Sequence, residues 1–472
     1  MTPSGRRTSE PAQEAGSTLV EMGTSLRNGA VTSRALVEQA IERADDLDER
    51  LGVYLARFDQ VARATADVAD SELAEGTDRG PLHGIPIGIK DVICTAEGPT
   101  TGQSLVPPPH GLVSGDAVVV ERLRQAGAVV LGKTTTMEHA IGFPHPEAPF
   151  PLPRNPWSFD RWPGGSSSGS AAGVAAGLFP IALGTDTCGS IRLPAAFCGA
   201  TGLRPTYGLV PTIGCASLSP SMDTIGPLAG SAIDCALVLS AIADVGADPL
   251  AAHDRQLCLD GTRIGVATPG SLGNGDDRDA VEAFDIAVAE LDHAGAVISE
   301  VTLPRYAEAS AAALLTAVTE GAALHQHLLQ ARWSDYYPST RELFSWGAMI
   351  SGIDYVQAQR ARSVARRELT GLFQEVDVVL MPTVTIGAPT FEEIEAGGGP
   401  MALSGRAHTF YWNAVDNPVL AFPIGADGNG LPLGAQLAGR PNEEYRLIGV
   451  AAAFQARTTW HVRQPTAAAR RG

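Results

Sequence analysis

One lysine and two serines of this chain have the residue types and surroundings that nucleophilic catalysis needs. Lys90 ends the apolar run 85–89, where a positive charge is costly, so this lysine is expected to lose its proton and act as a base. Ser166 opens a serine cluster after two glycines, and Ser190 ends the run Gly-Thr-Asp-Thr-Cys-Gly-Ser. A nucleophilic serine, a bridging serine and a neutral lysine together predict a hydrolase that moves protons without histidine.

The segment just before Ser190 has the composition of a tight turn. A glycine-containing turn exposes successive backbone N–H groups, which suits the stabilisation of an oxyanion. Asp186 and Arg192 flank this turn and are predicted to form an ion pair that braces it. Ser167 and Ser168 are interpreted as residues that hydrogen-bond within their own loop.

On these residues and their order, the chain resembles the amidase signature family. The likeness is strongest over residues 82–227 and returns over 377–383 and 413–447. It implies that Ser190 is the nucleophile, that Ser166 follows a cis peptide bond and relays protons, and that Lys90 is the general base. It also implies an oxyanion hole made of four consecutive backbone N–H groups, those of Thr187, Cys188, Gly189 and Ser190.

Three positions depart from the pattern of the family that the chain resembles. Cys188 and Asp416 stand where relatives usually carry glycine, and so, in many relatives, does Ser168. A non-glycine residue at position 188 would be strained if the backbone there required a positive φ. For Asp416, two interpretations stay open: its carboxylate lines the substrate pocket, or it caps a helix.

Three further motifs match known patterns and are rejected on context. Residues 127–134 fit the letter of a phosphate-binding loop, but residues 128–131 are predicted to be a strand, which commits their N–H groups to a sheet. Residues 165–169 fit the G-x-S-x-G nucleophile elbow, but no strand is predicted immediately before them. His325 and His327 would point apart on a helix, so a zinc site is not expected.

Composition narrows the class of protein. The 472 residues are 44% hydrophobic and 18% charged, as in an ordinary globular enzyme, and the net charge of −18 argues against nucleic acid or anionic membranes as partners. Six scattered cysteines without metal-ligand spacing are expected to be reduced and mostly buried. The polar residues 1–16 lack the apolar segment of a signal peptide, so a cytoplasmic location is expected.

The alternation of helical and strand patterns predicts one large α/β domain with a mixed central sheet surrounded by helices, over residues 17–463. Flexible tails are expected at 1–16 and 464–472. Ser33 is predicted to cap a helix that runs toward Asp48, residues 85–89 to form a buried strand, and residues 168–177 a helix of small residues. Residues 308–355 are predicted to form a helical cap rich in aromatic residues, and residues 137–153 a loop over the entrance of the site. The aromatic clusters of the cap and of residues 410–412 are interpreted either as pocket walls or as a second core.

The function expected from these features is hydrolysis of C–N bonds in bulky neutral or aryl amides and carbamates, with esters also within reach. Ser190 would form an acyl-enzyme, with no metal or organic cofactor and with a small molecule as the partner; the oligomeric state, a homodimer included, is left open. The alternative is the glutaminase subunit of a tRNA-dependent amidotransferase, which works through partner proteins. Such subunits usually carry Gln-Pro where this chain has Leu193-Pro194. A third alternative, a non-catalytic binding protein, would require the loss of Lys90, Ser166 or Ser190, and all three are present.

Overall fold

The computed structural model of the chain describes residues 18–243, 258–268, 277–396, 403 and 406–465. Except for residues 464 and 465, the two predicted tails lie outside these residues. No helix within the described ranges is long and apolar enough to cross a membrane.

Five of the described helices begin after a residue whose side chain caps them. Thr18, Thr32, Ser231, Asp277 and Ser351 each accept a hydrogen bond from a backbone N–H of the first turn. The α-helices described are α1 (Leu19–Arg27), α2 (Ser33–Leu51), α3 (Asp59–Ala74), α4 (Val118–Gln125), α5 (Ser168–Ala175), α6 (Arg192–Cys198), α7 (Ala232–Ile242), α8 (Arg278–His293), α9 (Tyr306–Arg332), α10 (Pro338–Met349), α11 (Gly352–Glu375), α12 (Phe391–Ala396), α13 (Phe410–Val415) and α14 (Glu444–Arg457). Short 3-10 turns cover Glu138–Ala140, Trp333–Asp335 and Trp460–Val462.

The strands of the described residues form one mixed sheet of 11 strands, in the order β1-β3-β2-β4-β6-β5-β10-β11-β9-β7-β8. They are β1 (Tyr54–Arg57), β2 (Pro86–Lys90), β3 (Val129–Thr134), β4 (Ile181–Asp186), β5 (Thr201–Arg204), β6 (Thr224–Ala229), β7 (Arg263–Val266), β8 (Val297–Glu300), β9 (Val378–Pro382), β10 (Val419–Ala426) and β11 (Pro432–Ala438). Most central strands are buried along their whole length, as expected for a sheet covered by helices on both faces. The predicted single α/β domain is confirmed.

Two neighbouring parallel strands carry predicted site residues at their carboxyl ends. Strands β2 and β4 pair in parallel, with Ile89 opposite Leu183. Their carboxyl ends therefore lie at the same edge of the sheet, and these ends carry Lys90 and Asp186.

Several local predictions are confirmed and one boundary is wrong. The strand predicted inside residues 127–134 is β3, and Lys133 lies in it, 2.8 Å from the Asp91 carboxylate. Both of these side chains are buried. The predicted cap of α2 was Ser33, but Thr32 caps the helix, and the Ser33 hydroxyl donates instead to the Gly84 carbonyl at 2.8 Å.

Helix α5 consists almost wholly of small residues and packs closely. A Cβ added at Gly169 would lie 2.5 Å from the Val53 carbonyl oxygen, and one at Gly173 would overlap the ring of Phe179. Glycine at these two positions therefore lets the helix that follows the serine cluster lie directly against the sheet and its flanking loop.

Residues 308–355, the predicted cap, lie in α9, α10, the start of α11 and the turns between them. The aromatic residues of the cap mostly pack against each other and the neighbouring loop. Tyr336 and Phe344 are buried together with Val106, whereas Trp333 is half exposed. They form a separate small core, which is one of the two interpretations left open by the sequence.

Candidate active site

Lys90 lies fully buried at the end of β2 among hydroxyl groups. Its Nζ donates to Ser166 Oγ at 2.7 Å, to Ser167 Oγ at 3.0 Å and to Thr185 Oγ1 at 2.7 Å. Burial lowers the pKa of Lys90 to about 7, although the charges of Asp186 and Asp223 act in the opposite direction. The lysine is thus held in a position and an environment where its neutral form is accessible near neutral pH.

Ser166 is held between Lys90 and an open cavity. The Gly165–Ser166 peptide bond is cis. The Ser166 carbonyl accepts a hydrogen bond from the Met137 N–H at 3.2 Å, and the side chain, with Ser190, contributes to the wall of the cavity. The structure therefore brings Lys90, Ser166 and Ser190 to one place, from three separate parts of the sequence.

Ser190 lies in the turn between β4 and α6 and is 9% exposed. Its backbone is attached to the serine cluster, because the Ser167 N–H donates to the Ser190 carbonyl at 3.1 Å. This bond links the two serine-bearing loops directly.

The predicted oxyanion turn needs one correction. Gly189 adopts a φ of +117°, which favours glycine, but its N–H donates to Asp186 Oδ1 at 2.8 Å and is not free for a substrate. Among the described residues, no acceptor is found for the N–H groups of Thr187, Cys188 and Ser190. Three of the four predicted donors remain, and all three residues line the cavity.

The buried pair of Asp186 and Arg192 braces this turn. Arg192 Nε donates to Asp186 Oδ2 at 3.0 Å, and the same carboxylate accepts from the Ile191 N–H at 3.2 Å and from Asn413 Nδ2 at 2.8 Å. Burial alone would raise the pKa of Asp186, but the Arg192 charge and these donors hold it well below its ordinary value. The ionised carboxylate therefore ties the N–H groups of Gly189 and Ile191 to Arg192.

Ser167 and Thr185 complete the surroundings of Lys90. Ser167 Oγ donates to the Thr185 carbonyl at 3.1 Å while it accepts from Lys90, in agreement with its predicted role as a loop hydrogen-bonder. Thr185 was not recognised from the sequence as a partner of the lysine. The available signal was its place next to Asp186 at the end of a strand, beside the end of the strand that carries Lys90.

The cavity in front of the two serines has a volume of about 140 Å³ and is largely apolar. Within the described part of the chain, no charged side chain lines it. The cap contributes Leu314, Ala317, Val318 and Leu343, and the segment predicted to cover the entrance contributes Ile141, Gly142 and Phe143. The remaining large side chains of the wall are Trp162, Leu193, Leu218, Leu403 and Phe410.

The aromatic residues predicted to be near the site separate in the structure. Phe410 lines the cavity, whereas Tyr411 and Trp412 are buried in the core. Tyr411 donates to the Pro304 carbonyl at 3.0 Å, which anchors α13 beneath the cap. A larger cavity, of about 560 Å³, lies at the opposite end of β2 and β4, lined there by Pro86 and Pro180, and contains none of the predicted site residues.

Two of the three departures from the family pattern, Cys188 and Asp416, have different structural surroundings. Cys188 does not adopt a positive φ, so a side chain is tolerated there; burial raises the pKa of its thiol, which disfavours a thiolate nucleophile. Asp416 does adopt a positive φ, of 66°, at the C-terminal cap of α13. Its carboxylate forms ion pairs with Arg362 and Arg366 of α11, at 3.3 and 3.0 Å, and does not line the cavity.

The residues of the other two motifs lie in described parts of the chain. The described residues contain no cluster of three or more side chains suited to a metal ion. His325 is buried, with Nδ1 2.9 Å from the Tyr336 hydroxyl, while its neighbour His327 faces outward. The residues before the serine cluster form turns and isolated bridges, with no strand between Asn155 and Pro163.

Comparison with known proteins gives a consistent result over most of the chain. A model of the Amidase family matches residues 35–448. A glutamyl-tRNA(Gln) amidotransferase component from Chloroflexus aggregans is 35% identical over 480 residues, 94% of this chain and 96% of that protein. The putative amidase AmiD of Mycobacterium tuberculosis is 35% identical over 461 residues, 95% of each chain.

Solved structures agree with this result. The peptide amidase from Stenotrophomonas maltophilia superposes with a TM-score of 0.81 at 31% identity, over 96% of this chain and 98% of its own. A further amidase structure superposes with a TM-score of 0.85 at 31% identity, over 93% of this chain and all of its own.

Proposed function

Because this chain belongs to the amidase family, the amidase signature enzymes, and is a C–N bond hydrolase, we propose that it is a free-standing amidase for neutral, apolar amides and aryl carbamates. The observation that carries the proposal is the pairing of a buried, hydroxyl-bound Lys90 with Ser166, beside a cavity that also contains Ser190. The uncharged wall of that cavity supports the choice of substrate.

In the proposed reaction, Ser190 Oγ attacks the substrate carbonyl carbon while its proton passes to Ser166, and the proton of Ser166 passes to Lys90 Nζ. The N–H groups of Thr187, Cys188 and Ser190 stabilise the oxyanion of the tetrahedral intermediate. When the C–N bond breaks, the proton returns through Ser166 to the leaving nitrogen. Water then attacks the acyl-enzyme by the same relay. It releases a carboxylic acid from an amide substrate, or from a carbamate a carbonic acid monoester that breaks down to an alcohol or phenol and CO2.

The glutaminase alternative is favoured by the names of several relatives, which belong to amidotransferases. Against it stands the composition of the cavity. Glutamine carries an α-ammonium and an α-carboxylate, and burying either charge without a partner costs several kcal/mol. No charged side chain of the described residues lines the cavity to compensate them.

The test is a comparison of wild type with Ser190→Ala and Lys90→Ala on a chromogenic aryl amide, an aryl carbamate and glutamine. It is run without added metal or partner protein. Ser71→Ala, an exposed position on α3 far from the cavity, is the matched control. We expect turnover of the aryl compounds by wild type and control and loss of at least roughly 1000-fold in both site variants, as for a removed nucleophile.

Two results would overturn the proposal. Turnover of glutamine alone, or only after a partner protein is supplied, would favour the amidotransferase alternative. Aryl turnover that persists in Ser190→Ala would exclude Ser190 as the nucleophile.

A further inference from the structure

The segment 217–223 precedes β6 and lies between the cap and the oxyanion turn. Leu218 from this segment lines the cavity, as does Val318 of α9. Three other residues of the segment are serines, and its last residue is Asp223. The segment thus touches both the substrate cavity and the groups behind it.

Asp223 is surrounded by donors rather than by cations. Its Oδ1 accepts from Thr187 Oγ1 at 2.5 Å, and its Oδ2 accepts from Ser217 Oγ at 2.6 Å and from the N–H groups of Leu218 and Ser219, both at 3.0 Å. Among the described residues, no lysine, arginine or histidine forms an ion pair with it. Hydrogen bonds therefore stabilise this carboxylate, and one of them comes from Thr187, the first residue of the oxyanion turn.

The segment is itself anchored to the cap. Glu320 of α9 accepts from Ser219 Oγ at 2.6 Å, from Ser221 Oγ at 2.7 Å and from the Tyr355 hydroxyl of α11 at 2.7 Å. A continuous set of hydrogen bonds therefore runs from the cap through the segment to Thr187. Because both carboxylate oxygens of Asp223 accept hydrogen bonds, this residue has little freedom to move relative to the cavity.

We propose that Asp223 is a positioning residue that sets the oxyanion turn by holding the Thr187 hydroxyl, so that the N–H groups of the turn face the reacting carbonyl. It does not line the cavity and does not touch the substrate. The inference rests on the proposed function of Ser190. The N–H groups of Thr187 and Cys188 can face the reacting carbonyl only if their peptide planes keep one orientation. The Asp186 carboxylate holds the other side of the turn, at the N–H groups of Gly189 and Ile191.

The test uses an aryl fluorophosphonate, which phosphonylates an activated serine and builds an oxyanion on phosphorus, so that no knowledge of the natural substrate is needed. The variants are Asp223→Asn, Thr187→Val and the double variant. Thr187→Val keeps the backbone N–H and the side-chain shape but removes the hydroxyl. Asp377→Asn is the matched control, since Asp377 bonds Arg263 at the far edge of the sheet.

We expect the maximal labelling rate of Ser190 to fall about tenfold in each single variant, less than the loss for a deleted oxyanion donor. The concentration for half-maximal rate should change less than about twofold, and the double variant should be no slower than the slower single one. The control should label at the wild-type rate.

Three outcomes would overturn the inference. One is Asp223→Asn labelled at the wild-type rate with only a lowered melting temperature, which would indicate a purely structural role. The second is multiplication of the two single effects in the double variant, which would separate Asp223 from Thr187. The third is wild type that is not labelled at Ser190, which would contradict the proposed function itself.

Discussion

Lys90 Nζ lies 2.7 Å from Ser166 Oγ, and its other two close partners are also hydroxyl oxygens. Among the described residues, no carboxylate lies within ion-pairing distance of Lys90. Burial without a carboxylate at ion-pairing distance favours the neutral form of this lysine, and the neutral amine can accept a proton from Ser166.

The first prediction concerns the pH dependence of activity. Burial lowers the pKa of Lys90 to about 7, and only the neutral amine can act as the base. We expect kcat/KM for an aryl amide to fall about tenfold per pH unit below about pH 7 and to level off above it. A pH–rate profile from about 5.5 to 9 checks this, and a limb near pH 4 or near pH 10 would instead indicate a carboxylate or an ordinary lysine.

The second prediction concerns the free energy of unfolding. In the unfolded chain Lys90 regains its ordinary pKa of 10.5, so between about pH 7 and 10.5 the unfolded state binds the extra proton. Stability supplied by this group therefore rises with pH in that window, by about 1.4 kcal/mol per unit, and the rise stops below about pH 7, where both states are protonated. Urea unfolding of wild type and Lys90→Met at about pH 7.5 and 9 measures the difference. Equal pH slopes for the two proteins would contradict the lowered pKa.

The third prediction concerns the brace of the nucleophile turn. Arg192→Ala leaves the Asp186 carboxylate buried, and among the described residues only Arg204, at 3.9 Å, then pairs with it. We expect a loss of roughly 3 kcal/mol in unfolding free energy and a large fall in kcat. Arg27→Ala, which breaks the exposed pair with Asp78, should cost less than about 1 kcal/mol and leave kcat unchanged. Similar losses in the two variants would argue against the brace.

The fourth prediction concerns the apolar wall of the cavity. Leu343→Ala removes a cap side chain that lines the cavity, so KM for an aryl amide should rise about tenfold, as expected for about 1.5 kcal/mol of lost apolar contact. Leu329→Ala, in the same cap but outside the cavity, should leave KM unchanged. Steady-state kinetics measure KM for both variants. An equal effect on KM would indicate that the substrate does not bind in this cavity.

Local sequence was a good guide to the individual elements near the site. The apolar run that ends at Lys90 formed a buried strand, and the small residues after Ser168 formed a closely packed helix. Ser33 was mistaken for the cap of α2 because Thr32 and Ser33 are equally suitable cap residues. Which of the two caps the helix depends on the Gly84 carbonyl, which is remote in sequence and accepts from the Ser33 hydroxyl.

Some features of the site depended on contacts that no local pattern contains. The Gly189 N–H is taken up by Asp186, Thr185 joins Ser166 and Ser167 around Lys90, and Asp223 reaches Thr187 across 36 residues. The role of Asp416 was decided in the same way, by two arginines of α11.

The sequence by itself therefore determined the chemistry, because residue type and order set which groups can attack, accept a proton or carry charge. It also determined the α/β class, through the alternation of helical and strand patterns. Only the tertiary structure decided which N–H groups stay free, which aromatic rings reach the cavity and how the turn is braced. These depend on the parallel register of β2 with β4 and on the packing of the cap, which bring together side chains that are far apart along the chain.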